Sequence, residues 1–337
     1  MFYRSLAHAL PERSWTQPEC WHALRDAPTL RALSHRSQEL LEKILLGNSG
    51  IAKRHFCTTE LAPIFTRNAQ QLSETYEREA VALAVQALRS AMEKGDVPSV
   101  DALIICTCTG YLCPGLTSHV AEQLQLPATT WLLDITGSGC GAAIPALQAA
   151  THYLQAHPTH RAAVIAVEVC SAAFYMSNDP GVLISLCLFG DGAAAMVLDG
   201  ADVRRSDLHF THFNTLHQPE HREKIRFVNR DGKLCNQLHR SVPELAAAAV
   251  EKLLTEPCPY PLISHGGGRE VLAAIQQRLP QHPLTEAYQV LHNCGNLSSP
   301  SVLLALEYSL QQTPDTPRQL VSFGAGFAAH GCRLELA

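Results

Sequence analysis

Two rhythms of apolar and polar positions run along this chain. Ser37–Leu46 puts Leu40, Leu41, Ile44 and Leu45 on one face of a helix, and Gly47-Asn48-Ser49-Gly50 stops the pattern. Thr75–Lys94 repeats it with Ala80, Leu83, Ala84, Ala87 and Leu88, which predicts a second amphipathic helix. The other rhythm is the short unbroken apolar run. Asp101–Cys106, Trp131–Leu133, Ala162–Val169 and Ala193–Asp199 read as buried strands. Thr107–Gly115 between them is a polar loop with glycine and proline, followed by a helix through Gln123. Strands alternating with helices predict an α/β core. Residues 1–60 read as mixed and largely helical, with Lys53-Arg54-His55 as a small basic cluster in a solvated loop.

The second half repeats the style. Val242–Leu254 is an alanine-rich helix, and Pro261–Ser264 a short strand that ends in His265-Gly266-Gly267-Gly268. Helices are expected over Arg269–Leu279 and Ser301–Leu310, and strands over Gln319–Phe323 and Phe327–Leu336. Twice a strand and a helix present a reactive side chain at a glycine turn. Two related halves packed face to face are therefore expected, residues 1–200 and 201–337, although no clean internal repeat is visible.

The chain has 337 residues, 46% hydrophobic and 17% charged, enough for a large buried core. Its net charge of −5 does not suit an electrostatic nucleic-acid binder. No apolar run is long enough to span a bilayer, and the first residues lack the apolar core of a secretory leader, so the cytoplasm is the expected compartment. Twelve cysteines then read as mostly free thiols. No CxxC pair occurs, and Cys106 with Cys108 on one strand makes a poor tetrahedral site, so no metal is expected.

Chemistry is concentrated at three strand-to-helix junctions. Asp134–Leu154 runs from a strand through Gly137, Gly139, Cys140 and Gly141 into an alanine-rich helix. Flanking glycines expose the sulfur, and a helix start beyond it favours the thiolate. Pro145 would clash with the carbonyl of Gly141 in a regular helix, so the helix should begin after Cys140. His265 and Asn296 occupy two further junctions, where α/β sheets bind ligands. A cysteine with a histidine supplies a thiolate–imidazolium pair, and an amide beside the imidazole supplies two donors to one oxygen. In outline this is Claisen-type chemistry on a cysteine-bound acyl group.

The motifs together resemble the type III polyketide synthases, the chalcone-synthase-like branch of the thiolase superfamily. Gly137–Ala143 (GSGCGAA) is similar to the nucleophile motif and Phe189–Ala195 to FGDGAAA. His265-Gly266-Gly267 is similar to HPGG with glycine for proline, and Gly295–Ser299 (GNLSS) to GNMSS. Ser322–Phe327 resembles GFGPG with Ser322 and Ala325 substituted. The resemblance runs in register from about residue 40 to the end. It implies a five-layered αβαβα thiolase-like fold made of two related halves, a homodimer, and no cofactor beyond CoA thioester substrates. A starter acyl group would load on Cys140, while His265 and Asn296 promote decarboxylation of malonyl-CoA and His265 keeps Cys140 ionised. The extended chain would cyclise to a pyrone or phenolic product. By the same resemblance Phe189 is the gatekeeper aromatic, Ser298 stands behind the cysteine, Cys108 lines the cavity, and Cys113 crosses to the partner's cavity.

Departures from the family pattern matter as well. Counting back from Val242-Pro243, Asn236 or Cys235 replaces a second gatekeeper phenylalanine, which should open or reshape the cavity. Positions that hold CoA phosphates in plant members carry Glu42, Leu45 and Ser49 here. Either Lys43 or Lys53 takes the phosphates, or the acyl group arrives on a carrier protein. A ketosynthase III-like enzyme that condenses once is the alternative; its His-Gln-Ala-Asn motif differs from His265-Gly-Gly-Gly. A degenerate subunit would lack one of the three residues. A cysteine hydrolase would have no use for the FGDGAAA and GNLSS stretches.

Overall fold

A computed structural model describes residues 1–254 and 259–337. The chain opens with β1 (Phe2–Ala9), β2 (Ser14–Thr16), α1 (Gln17–Arg25), α2 (Pro28–Arg31), α3 (His35–Leu46) and β3 (Lys53–His55). Then come α4 (Ala69–Gly95), β4 (Ala102–Thr107), α5 (Leu116–Gln123), β5 (Trp131–Thr136), α6 (Ala143–Ala156), β6 (Arg161–Glu168), α7 (Pro180–Leu188) and β7 (Gly192–Asp199). Next are β8 (Leu208–His217), the hairpin β9 (Ile225–Arg230) and β10 (Lys233–Leu238), α8 (Val242–Leu253) and β11 (Leu262–Ser264). The last elements are α9 (Arg269–Arg278), α10 (Thr285–Cys294), α11 (Pro300–Gln312), β12 (Arg318–Gly324) and β13 (Ala328–Leu336).

Local chemistry explains the main boundaries. Asn68 caps α4 and Gln71 answers it, a reciprocal pair that satisfies two otherwise orphaned N–H groups. Ser34 caps α3, and Asp179 caps α7 just before a proline in the first turn. The helix after Cys140 does begin late: Gly139–Gly141 form one 3₁₀ turn, and α6 starts at Ala143.

Nine strands form one mixed sheet in the order β11-β12-β13-β8-β1-β7-β6-β4-β5, while β2–β3 and β9–β10 pair separately. On one side β4 and β6 are parallel, then β6–β7 and β7–β1 antiparallel. On the other, β11 and β12 are parallel, then β12–β13 and β13–β8 antiparallel. The same succession of pairings therefore appears twice, and the two runs join at Phe2 opposite His209.

Alternation along the strands sorts side chains into layers. In β4, Ala102, Ile104 and Cys106 enter a central core that also holds Ile144 and Leu147 of α6, Val302 and Leu306 of α11, and Ile263 and Leu320. Leu103 and Ile105 point the other way, against Leu83, Ala84 and Leu88 of α4. Val321 and Phe323 face outward against Ala246 and Val250 of α8 and Leu272 of α9. Helix, sheet, paired helices, sheet, helix: this is the five-layered αβαβα thiolase-like arrangement. Helices α6 and α11, hydrophobic on nearly all sides, are the middle layer, as all-round apolarity requires.

One expectation fails. Phe2–Ala9 lies in the segment read as mixed and largely helical, yet it is a strand between β7 and β8 near the centre of the sheet. Its burial comes from neighbours far along the chain, which outweigh local propensity. Among the described residues no helix is long and apolar enough to cross a membrane.

Candidate active site

Cys140 lies in the 3₁₀ turn between β5 and α6, nearly sealed from solvent. Gly139 has φ +59°, and a Cβ there would come within 2.9 Å of the Ala325 nitrogen, so glycine is required both for conformation and for closeness. The turn is clamped from below by the Ser322 hydroxyl, which donates to the Gly141 carbonyl at 3.0 Å. Its sulfur accepts a hydrogen bond from Ser298 Oγ at 3.1 Å.

His265 follows β11, with its N–H donating to the Val321 carbonyl at 3.1 Å. The ring stands edge-on to Phe323, centroids 5.1 Å apart. Its Nδ1 is buried and has no hydrogen-bond partner. Burial pushes the imidazole pKa down to about 4, so the ring is neutral at pH 7. Asn296 is oriented by its neighbours. Its Oδ1 accepts the Ser298 N–H at 2.8 Å, and Nδ2 donates to the Gly267 carbonyl at 3.1 Å. An amide nitrogen carries two hydrogens, so one remains free for the cavity.

Ser298 has φ +61°, a conformation costly for a side chain with a Cβ, at roughly 1–3 kcal/mol. The position aims its hydroxyl at Cys140 Sγ, at Glu168 Oε1 3.3 Å away and at Cys108 Sγ 3.4 Å away. Glu168 is the last residue of β6 and fully buried. The carboxylate accepts from the N–H groups of Cys108 and Thr109 at 3.0 and 3.1 Å. It also takes the hydroxyls of Thr109 at 2.8 Å and Ser299 at 2.6 Å, and the Cys108 thiol at 3.2 Å. Sequence reasoning did not single out Glu168, although a lone acid in the otherwise apolar AAVIAVEV strand is the signal that a buried charge needs donors nearby.

A cavity of 920 Å³ gathers Cys140, Phe189, Asn236, His265, Asn296 and Ser298 on its wall. Thus the sulfur, the imidazole and the amide, far apart in sequence, converge on one space. Cys108 is a correction: it does not line the cavity but sits behind Ser298, and the wall there is Thr109 and Cys170. The strand places Cys106 in the central core, and the following residues turn so that Cys108 faces Glu168. Among the described residues no group of His, Cys, Asp and Glu could hold a metal ion.

Residues 13–263 match the family model of FAE1/type III polyketide synthase-like proteins. The chain belongs to that family. It is 27% identical over 306 residues to a 3,5-dihydroxyphenylacetyl-CoA synthase of Streptomyces toyocaensis, covering 83% of this chain and 78% of the relative. It is 26% identical to a 1,3,6,8-tetrahydroxynaphthalene synthase of Streptomyces peucetius subsp. caesius, over 95% and 89% of the two chains. The fold superposes on crystalline PKS-I from the brown alga Ectocarpus siliculosus with a TM-score of 0.89 at 22% identity, covering 100% of this chain and 98% of that one. As a type III polyketide synthase the chain is an acyl-transferring condensing enzyme that works on CoA thioesters without an additional cofactor.

Of the two residues expected to replace a second gatekeeper aromatic, the cavity wall of this type III polyketide synthase carries Asn236. Its amide donates to Ser185 Oγ at 2.6 Å, which in turn donates to the Gly181 carbonyl at 2.7 Å, while Cys235 stays off the cavity wall. Cys113 is exposed and outside the cavity of its own chain. Lys43 reaches the rim and Lys53 does not; Arg226, Arg240 and Arg269 also stand there. Burial pushes Cys140 up to about 12, the Ser298 hydroxyl opposes the rise, and the charge of Glu168 adds to it. Desolvation thus works against the thiolate, and the helix start that would favour it is set back by the intervening 3₁₀ turn.

Proposed function

We propose that Cys140, His265 and Asn296 carry out iterative decarboxylative condensation in this cavity. The supporting observation is their meeting on the wall of one cavity, with one amide N–H of Asn296 left unspent by the protein. Cys140 sulfur attacks the carbonyl of a starter acyl-CoA as His265 takes its proton. The C–S bond to CoA breaks, and that proton leaves with the CoA thiol. Malonyl-CoA then loses CO₂, and the enolate oxygen is held by N–H donors of His265 and Asn296. The enolate carbon attacks the acyl group on Cys140, a C–C bond forms as the C–S bond to Cys140 breaks, and the departing thiolate takes a proton from solvent before reloading. Donors placed in a water-poor site need no reorganisation at the moment charge develops, which is why neutral groups serve.

Phe189 narrows the wall between entrance and cavity, Ser298 steadies the sulfur, and Asn236 leaves space where an aromatic ring would take it. Lys43 and Arg240, rim cations with no acid partner among the described residues, suit the phosphates of CoA; delivery on an acyl carrier protein is the competing route. A homodimer is supported by β5, an edge strand paired only with β4 that exposes Trp131 at 41% and Leu132 at 38%. In such a dimer Cys113 reaches the partner's cavity. Residues 1–200 and 201–337 form the two halves, and the free state of every described cysteine supports a cytoplasmic setting.

The test is incubation of the protein with malonyl-CoA and a panel of acyl-CoAs, read by product mass. Several condensations give a pyrone or phenolic ring, whereas one gives a β-ketoacyl thioester. Cys140→Ala should release no product while keeping its thermal midpoint and oligomeric size. Wild-type product rates from that variant would end the proposal.

A further inference from the structure

The basic stretch Lys53-Arg54-His55 is no solvated loop: Arg54 is 1% exposed. Burying a guanidinium is costly unless its charge and donors are met. Arg4 and Arg161 meet that need with Asp199. No carboxylate reaches Arg54 among the described residues. Its Nη1 donates instead to the carbonyls of Leu186 at 2.6 Å and Phe189 at 2.9 Å, and its Nε to Gln17 Oε1 at 3.0 Å. Gln17 Nε2 donates in turn to the Cys187 carbonyl at 2.8 Å. The guanidinium lies 4.9 Å from the centre of the Phe56 ring, with the Cys20 and Cys187 thiols beside it.

These acceptors are the carbonyl end of α7, which carries the negative pole of the helix and serves as countercharge. The remaining terminal carbonyl, that of Leu188, accepts the Asn296 N–H at 2.9 Å, and the Gly190 N–H returns to the Asn296 carbonyl at 3.0 Å. Gly295 has φ +73°, and a Cβ there would lie 2.7 Å from the Leu188 oxygen and 2.8 Å from Arg54 Cγ. The backbone that presents Asn296 thus rests on the stem of Arg54, while the head of the same side chain holds Phe189.

We propose that Arg54 is a positioning residue for condensation, fixing at once the gatekeeper Phe189 and the carboxamide of Asn296. The proposal rests on the roles given above to Cys140, Phe189 and Asn296. Arg54 touches no reacting atom. Its effect falls on the step that uses Asn296, decarboxylation with chain extension, and spares acyl transfer to Cys140.

Arg54→Lys keeps the charge but loses the Nε donor to Gln17 and the planar head that fixes where Nη1 meets the Leu186 and Phe189 carbonyls. Acylation of Cys140, followed by intact mass, should stay within about twofold of wild type, whereas kcat for malonyl-CoA decarboxylation should fall about tenfold or more, because small misplacements of catalytic groups are expensive. KM should move less than kcat, and product masses should shift. Gln17→Leu, which removes only the Nε acceptor and the Cys187 cap, should give the same split with a smaller fall; it decides the matter if R54K does not fold. Parallel loss of both steps, loss of neither, or failure of both variants to fold would overturn the proposal. An acyl label found on a residue other than Cys140 in wild-type protein would be a separate failure, that of the nucleophile assignment.

Discussion

Glu168 and His265 each stand at the end of a buried strand, and neither is more than 1% exposed. The carboxylate is surrounded by backbone N–H groups, hydroxyls and a thiol that all point at it. The imidazole is packed against Phe323 and leaves Nδ1 with nothing to bond. Both sites are costly to build, but the cost has different meanings. A satisfied buried charge fixes geometry around it; an unsatisfied buried polar atom destabilises the resting protein and is useful only when something else arrives to bond it. The contrast separates a buried group whose bonding is complete from one whose bonding is not.

Three measurements would break or sharpen that contrast. The largest effect belongs to His265→Ala. Product formation should fall at least about a hundredfold, the scale of losing one donor to a developing oxyanion. Its thermal midpoint should hold or rise, because a buried atom without a partner is removed. An active variant, or one that unfolds early, would put His265 on the same side as Glu168.

Glu168→Gln should do the reverse in kind. Charge-assisted hydrogen bonds are lost and an amide NH₂ is turned toward existing donors, for a stability loss of roughly 1.5–3 kcal/mol by denaturant unfolding. No change in stability would mean that the donors around Glu168 are not holding the turn.

The smallest effect is in pH. Burial lowers His265 and His330 to about 4 from 6.5. Between those values the unfolded chain binds the protons and the folded chain does not. Stability from these two groups is therefore complete above pH 6.5 and is lost as pH falls toward 4. His265→Ala should make the unfolding free energy less steep in this window by about one proton. An unchanged slope would show that His265 is already protonated when folded.

Much of the fold was legible because burial on both faces leaves an unmistakable trace. The runs AAVIAVEV and AAAMVLD had to be strands inside something, and the amphipathic pattern of 75–94 lies within α4. Phe2–Ala9 and Arg54 were not legible. A strand whose partners are β7 and β8, and a cation neutralised by the end of α7, take their character from segments more than a hundred residues away. Cys108 illustrates the same limit at finer scale: one turn of backbone decides whether a thiol faces the cavity or Glu168.

By itself the sequence determined an α/β core, through hydrophobic periodicity, and it singled out Cys140, His265 and Asn296 as candidates, through motifs that resemble those of the family. Only the tertiary structure decided the state of those groups. Whether a thiol is ionised, an imidazole left without a partner, or an arginine free of any acid depends on desolvation and on distances across the fold, and neither quantity is local to the chain.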